Sequence, residues 1–216
     1  MLAMVLNSDN SMVASGPLTS DIEDRRLSKP ITKPNQDDTM VLNPTQYIKR
    51  ILTPGWVVTL YYFYKFRAKF SPKAEIEISD NLKVGRGCVI ASFTKIKASD
   101  GPLVMGDRCG IATNCFVASG ENGIEIDDNF LCGPNVVITA SNYAYDKVDV
   151  PIEEQGTTSK GIRIGRNVWI GAGSVILDGT ILGDNCIVVA GSMVNRRFPE
   201  NAVIQGNPAK ILTKRA

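Results

Sequence analysis

The 216-residue chain contains no histidine. That absence excludes His-ligated zinc, imidazole activation of a serine or cysteine nucleophile, and imidazole as a general base. The five cysteines are an odd number, and none sits in a CxxC pair. This speaks against a disulfide framework and for free thiols in a reducing compartment, so a cytoplasmic location is expected. No run of 18 apolar residues is present, and no transmembrane helix is predicted. No basic stretch followed by an apolar core opens the chain, so no secretory signal is predicted either. A formal net charge of +2 leaves no global electrostatic case for binding nucleic acid. The remaining composition, 44% hydrophobic and 21% charged, is that of an ordinary globular protein.

What the chain does have is a period of six. Inward-type residues recur at Ile78, Val84, Ile90 and Ile96, then at Met105, Ile111 and Val117, then at Ile126, Cys132 and Ile138. A final run holds Ile164, Ile170, Ile176, Leu182, Val188 and Val194. The residue two before each is mostly apolar or small, as at Leu82, Cys88, Leu103, Cys109, Phe130 and Val136. Six matches neither the 3.6 of an α-helix nor the alternation of an ordinary strand. It suits a short strand followed by a tight corner, with Gly, Asn and Asp supplying the positive φ that corners need. No rung can bury its apolar edge alone, so the rungs must stack. Sixteen hexads predict about five three-sided coils of a mainly β, parallel β-helix. The cysteines fall in core register, which predicts buried packing rather than chemistry.

The breaks in the period are in phase. Ile96 to Met105 and Val117 to Ile126 each span nine residues, and Ile138 to Ile164 spans 26. Whole coils separate the breaks, so all three insertions leave at one corner: Ser99-Asp100-Gly101, Gly120-Glu121-Asn122, and a long loop over about 141–161. Insertions stacked at one corner build a wall, and functional loops of repeat proteins gather in this manner; tolerated surface insertion is the plain alternative.

Val168-Trp169-Ile170-Gly171-Ala172-Gly173, Ile187-Val188-Val189-Ala190-Gly191-Ser192 and Gly206-Asn207-Pro208-Ala209-Lys210 resemble the signature of the hexapeptide-repeat acyltransferases. That family includes the galactoside, maltose and xenobiotic acetyltransferases. Pro151-Ile152-Glu153-Glu154-Gln155-Gly156, leading into Ile162-Arg163-Ile164-Gly165, is most similar to its polysaccharide O-acetylating branch. The resemblance spans about residues 76–211. It implies a left-handed coil, against the usual right-handed crossover. It also implies a homotrimer with sites between subunits, acetyl-CoA as co-substrate, no metal, and a carbohydrate acceptor such as a surface-polysaccharide precursor.

The family's general base is a histidine on the long loop, which deprotonates the attacking acceptor while a backbone N–H stabilises the oxyanion. The equivalent stretch here is Thr139-Ala140-Ser141-Asn142-Tyr143, and Tyr143 stands at the histidine position. An ordinary tyrosine, with a pKa of about 10, is a poor base at neutral pH. Asp146, Asp149, Glu153 and Glu154 lie on the same loop, and a desolvated carboxylate can take over that task. Three readings stay open: an acyltransferase using Tyr143, Asn142 and Asp146; a catalytically silent relative that binds CoA or glycan; and a structural trimer. On the donor side, the resemblance assigns CoA contacts to Trp169, Ala172, Ala190, Asn195, Arg196 and Lys210. Arg197, Lys214 and Arg215 complete a C-terminal basic cluster suited to phosphate. Trp169 fits trimer packing equally well. Asn114 and Gln155 are assigned to the acceptor, although Asn114 fits a left-handed corner too.

Residues 1–40 are polar and aperiodic and are expected to be flexible. Residues 41–75 form an aromatic-rich helical cap, 76–197 the β-helix, and 198–216 a C-terminal extension. Within the cap, Pro54-Gly55 separates an earlier helical start from Trp56–Phe66, a segment too short to span a bilayer and flanked by Lys and Arg. It suits capping of the first coil, or a peripheral contact with the inner face of a membrane through residues 56–67.

Overall fold

The structure is a computed structural model that describes residues 54–215 apart from Ile78. The polar segment 1–40, the helical start at Pro44 and the Ile78 rung lie outside the described residues. Three parallel sheets wind into a prism of about six coils. The first face stacks β1 (Lys69–Phe70), β4 (Val89–Ile90), β7 (Gly110–Ile111), β10 (Leu131–Cys132), β15 (Trp169–Ile170), β18 (Ile187–Val188) and β21 (Ala202–Gly206). The second stacks β2 (Glu75–Ile76), β5 (Lys95–Lys97), β8 (Phe116–Ala118), β11 (Val137–Thr139), β16 (Val175–Ile176) and β19 (Met193–Val194). The third stacks β3 (Leu82–Val84), β6 (Leu103–Met105), β9 (Ile124–Ile126), β14 (Ile162–Ile164), β17 (Ile181–Leu182) and β20 (Arg197–Phe198).

Strands of two or three residues hold only because each inward side chain sits on its counterpart one coil away. Ile138 pairs in register with both Val117 and Ile176, and Ile170 pairs with Cys132 and Val188. Ile90, Ile111, Ile138, Ile164, Ile170, Ile176 and Leu182 are all fully buried. Residues two before inward positions fill the corners: Cys88, Cys109, Phe130, Val136, Val168 and Cys186 are buried as well. All five thiols are free and buried, as the register predicts. Burial pushes the Cys186 thiol up from its ordinary value.

Register starts one rung differently from the sequence expectation. The partner of Ile96 is Ile76, and the first face already carries Lys69–Phe70 opposite Val89–Ile90. Eight residues rather than six therefore separate Ile76 from Val84, so a fourth insertion leaves at the same corner, the one between the second and third faces. The earlier start adds one rung, and β20 and β21 add two more beyond Val194, mostly inside the segment expected to be a C-terminal extension; together they make about six coils rather than five.

Corners are closed by ladders. Asn114, Asn129, Asn135, Asn167, Asn185 and Asn201 all hold φ between 55° and 61°. Their amides chain from coil to coil, Asn167 Nδ2 donating to Asn185 Oδ1 at 2.8 Å and Asn185 Nδ2 to Asn201 Oδ1 at 3.1 Å. At the corner between the third and first faces, Asp184 accepts from the Arg166 backbone N–H at 2.9 Å and from its guanidinium at 2.8 Å. Those bonds hold the Asp184 carboxyl below the usual carboxylate range.

At the N-terminal end, α1 (Gly55–Phe66) packs on the first coil: the buried Tyr62 ring meets Phe70 edge-on at 4.6 Å and stacks on Phe66 at 5.8 Å. At the other end, β22 (Ala209–Lys214) returns antiparallel onto β21. Among the described residues no helix is long and apolar enough to cross a membrane.

The stacked core predicts a sharp contrast in a denaturant titration. Phe130→Ala, which removes a fully buried ring, is expected to cost about 3–5 kcal/mol. Arg163→Ala, which breaks an exposed 2.7 Å pair with Glu125 on the third face, is expected to leave the midpoint nearly unchanged.

Candidate functional site

The insertions between the second and third faces interlock as a wall. Ser79 Oγ donates to the Ala98 carbonyl at 3.0 Å, Ser119 Oγ to Gly101 at 2.8 Å and Ser159 Oγ to Ala140 at 2.6 Å, each reaching the coil stacked against it. Asn122 Nδ2 donates to the Ser159 carbonyl at 2.6 Å. A side chain on Gly101 or Gly120 would collide with the backbone of the next insertion, so glycine is required where the layers touch.

The long loop is an ordered arm. β12 (Asn142–Tyr143) pairs antiparallel with β13 (Thr157–Thr158), and Ala144 N donates to the Gly156 carbonyl at 2.9 Å. Asp178, from the following coil, accepts from the backbone N–H groups of Lys160 and Gly161 at 2.8 and 2.9 Å and pins the arm's exit. A short 3₁₀ turn, Ile152–Gln155, closes the tip. Asn142, Tyr143 and Asp146 are exposed on this arm, and so are Tyr145, Val148 and Ile152. The Gln155 amide, expected to meet an acceptor, is instead turned inward: it bonds both backbone groups of Lys147 and the Val150 carbonyl at 2.7–2.9 Å. At the arm's foot lies a polar cleft of ≈ 120 Å³ lined by Asp100, Glu121, Ser141, Thr157, Thr158 and Ser159. The sequence placed Asp100 and Glu121 on the wall without giving them a role. Only the stacking of the layers shows that both residues line one cleft with Ser141.

The second group of expected site residues stands at another corner, between the first and second faces. Ala172 and Ala190 stack there one coil apart, with Gly191 N donating to the Ala172 carbonyl at 2.9 Å. Both alanines are exposed, and positions 173 and 191, glycines with φ of 66° and 73°, open onto empty space. The result is a strip of bare backbone that an extended amide-bearing chain can approach. Asn114 lies on the same corner with φ 57° and donates to Asn135 Oδ1 at 2.7 Å, which is the corner role. Between the strip and the wall runs the second face, whose outward Phe116, Val137, Val175 and Met193 form a half-buried apolar ladder.

Trp169 points out of the first face, in register with exposed Leu131 and with Ile187. Arg196 lies over the Phe198 ring at 5.4 Å and donates to the Ala209 carbonyl at 2.7 Å, so one of its nitrogens is committed to the C-terminal hairpin. Lys210, on β22, is exposed, as is Asn195, which follows the last strand of the second face. Among the described residues no group of three or more acidic, cysteine or histidine side chains is placed to hold a metal ion.

Residues 161–196 match the family described as bacterial transferase hexapeptide (six repeats). The chain is 30% identical over 146 residues to an Escherichia coli (strain K12) protein named for O-acetyl transfer in lipopolysaccharide biosynthesis, a match covering 64% of this chain and 71% of that protein. It is 29% identical over 134 residues to a Mycobacterium tuberculosis protein named as an acetyltransferase, covering 62% of this chain and 44% of that one. The chain spans about half the length of the first curated relatives it matches. Its fold is also that of an N-acyltransferase from Bacillus cereus solved with dTDP and coenzyme A, with a TM-score of 0.64 and 21% identity over 73% of this chain and 88% of the other.

The ties at the arm's foot set its order. Ser159→Ala combined with Asp178→Ala is expected to speed amide exchange at Ala144 by about tenfold or more, because each lost bond is worth about 1 kcal/mol. Amides at Ile138 and Ile164, inside the coil, are expected to keep their protection in the same exchange measurement.

Proposed function

We propose that this chain, which belongs to the bacterial hexapeptide transferase family, moves an acyl group from acetyl-CoA to a carbohydrate. The observation that carries the proposal is the pairing of a bare-backbone corner with an in-phase wall on either side of one apolar face. The fit to coenzyme A rests on Ala172 and Ala190. Their small exposed side chains leave room for the pantetheine arm, whose amides match the unshielded backbone. Asn195 and Trp169 would border the same ligand, and Arg196, Lys210, Lys214 and Arg215 offer cations for its phosphates.

The polar cleft is the proposed seat of the acceptor. Its hydroxyls and two carboxylates suit a hydroxyl- or amine-bearing sugar. The named relatives point the same way, one to lipopolysaccharide and another, from Escherichia coli, to an amino sugar carried on dTDP. In the transfer, an acceptor oxygen or nitrogen forms a bond to the thioester carbonyl carbon, the tetrahedral intermediate collapses, and coenzyme A leaves as the thiol carrying a proton. Tyr143 occupies the position of the family's histidine, so removal of the acceptor's proton falls to a carboxylate. Asp146 stands on the arm three residues beyond Tyr143, while Asp100 and Glu121 stand in the cleft. Asn142 and Tyr143 are assigned to positioning of the acceptor.

We further propose a homotrimer in the cytoplasm. The site residues are divided between two corners of one prism, and packing prisms side by side brings one copy's arm to a neighbour's bare corner. The outward ladder of Val89, Leu131 and Trp169 supplies apolar surface for such packing. Five unpaired buried thiols suit a reducing compartment.

A second reading, a silent relative that still binds the coenzyme, is favoured by one specific fact: no histidine exists anywhere in the chain. A thiol-release assay with acetyl-CoA and a panel of amino and neutral sugars decides between the two. The enzyme reading predicts turnover that falls by about 10²–10⁴-fold in one of Asp100→Asn, Glu121→Gln or Asp146→Asn, with the acetyl-CoA KM unchanged. If acetyl-CoA binds but no sugar is acylated until Tyr143→His is introduced, the silent reading stands. If acetyl-CoA does not bind at millimolar concentration, both fail.

A further inference from the structure

Helix α1 caps the first coil with one face only. Tyr62 and Phe66 turn onto Phe70, while Trp56, Leu60, Phe63 and Tyr64 recur at helical spacing on an adjoining side and stay exposed, Tyr64 by 80% and Trp56 by 60%. The basic residues are as asymmetric as the aromatic ones. Between Pro54 and Lys73 the chain has Lys65, Arg67, Lys69 and Lys73 and no carboxylate, although the whole protein carries only +2. Lys65 Nζ lies 5.1 Å from the Tyr61 and Phe66 ring centres and donates to the Tyr61 hydroxyl at 2.8 Å. Lys73 sits 5.6 Å from the centre of the exposed Phe93 ring. Arg67 ends the helix in a left-handed conformation, φ 51°, its N–H bonded to the Phe63 carbonyl at 2.9 Å.

We propose that this face lies in the headgroup region of an anionic lipid bilayer. Aromatic rings mixed with cations are the composition of an interfacial helix, and twelve residues, about 18 Å long, can lie in that plane but not cross it. Charge selects the occupant. A second copy would bring the same four cations to a two-fold helix–helix contact, where like charges oppose association. Anionic headgroups meet those cations while the acyl boundary covers the rings. The proposal goes beyond acyl transfer and holds whether or not the chain is an active enzyme.

The test uses the full chain with Trp169→Phe, so that Trp56 is the sole tryptophan, and vesicles of phosphatidylcholine alone or mixed with phosphatidylglycerol. Expected are co-sedimentation with the mixed vesicles, a blue shift of Trp56 emission, and release by high salt. Phe63→Ser with Tyr64→Ser is expected to lower the partition by about tenfold or more, and Lys65→Glu with Lys69→Glu to remove its dependence on phosphatidylglycerol. Circular dichroism and sedimentation of each variant establish that fold and assembly are intact. No partition into mixed vesicles, or partition unaffected by the serine pair, overturns the proposal. It is overturned equally if the serine pair breaks a larger assembly in the absence of lipid, which would assign the face to a second copy.

Discussion

One buried aliphatic side chain every six residues is the constraint on which everything else here rests. Strands as short as Val175–Ile176 or Ile181–Leu182 have too few hydrogen bonds to persist alone, and their stability comes from Ile-on-Ile and Leu-on-Phe stacking between coils. That stacking fixes the register, and the register dictates what corners accept. Left-handed asparagines form amide ladders there, while Asp107 and Asp184 tie down the N–H groups of Arg86 and Arg166. Extra residues have nowhere to go inside a coil, so they leave as loops, and loops at one corner of successive coils must pack on each other.

This is why so much of the fold was legible in the sequence. From Val84 to Val194 the inward residues are aliphatic, methionine or cysteine at even spacing, and the breaks after Ile96, Val117 and Ile138 keep whole coils between them. The start was harder to read. Phe70 is aromatic, Ile76 is only partly buried, and an eight-residue step to Val84 conceals the period, so Ile78 looked like the rung that Ile76 occupies. Asn114 carried two readings, and its φ of 57° with an amide bond to Asn135 bears out the left-handed corner.

The candidate site was legible as a location more than as a set of side chains. Phase alone placed the wall. Phase could not reveal that the Gln155 amide closes the arm on itself, because that depends on the 3₁₀ turn bringing it to Lys147 and Val150. Phase put Asp100, Glu121 and Ser141 on one wall, but not around one cleft, which forms only through insertion packing. Those carboxylates matter to the proposed transfer because the chain lacks histidine. The aromatic end helix presents the same kind of division. The sequence left it between a cap and a membrane contact, and the structure shows Tyr62 and Phe66 turned onto the first coil while other aromatic side chains stay exposed.

We propose that acyl-coenzyme A is used on the second face, between the Ala172–Ala190 corner and the insertion wall. A crystal structure of the full chain grown with coenzyme A tests it most directly. The pantetheine arm is expected to extend along Ala172 and Ala190, with its sulfur facing an arm that carries Tyr143. Coenzyme A bound on the charged third face around Glu125 and Arg163, or at the aromatic helix, would contradict it.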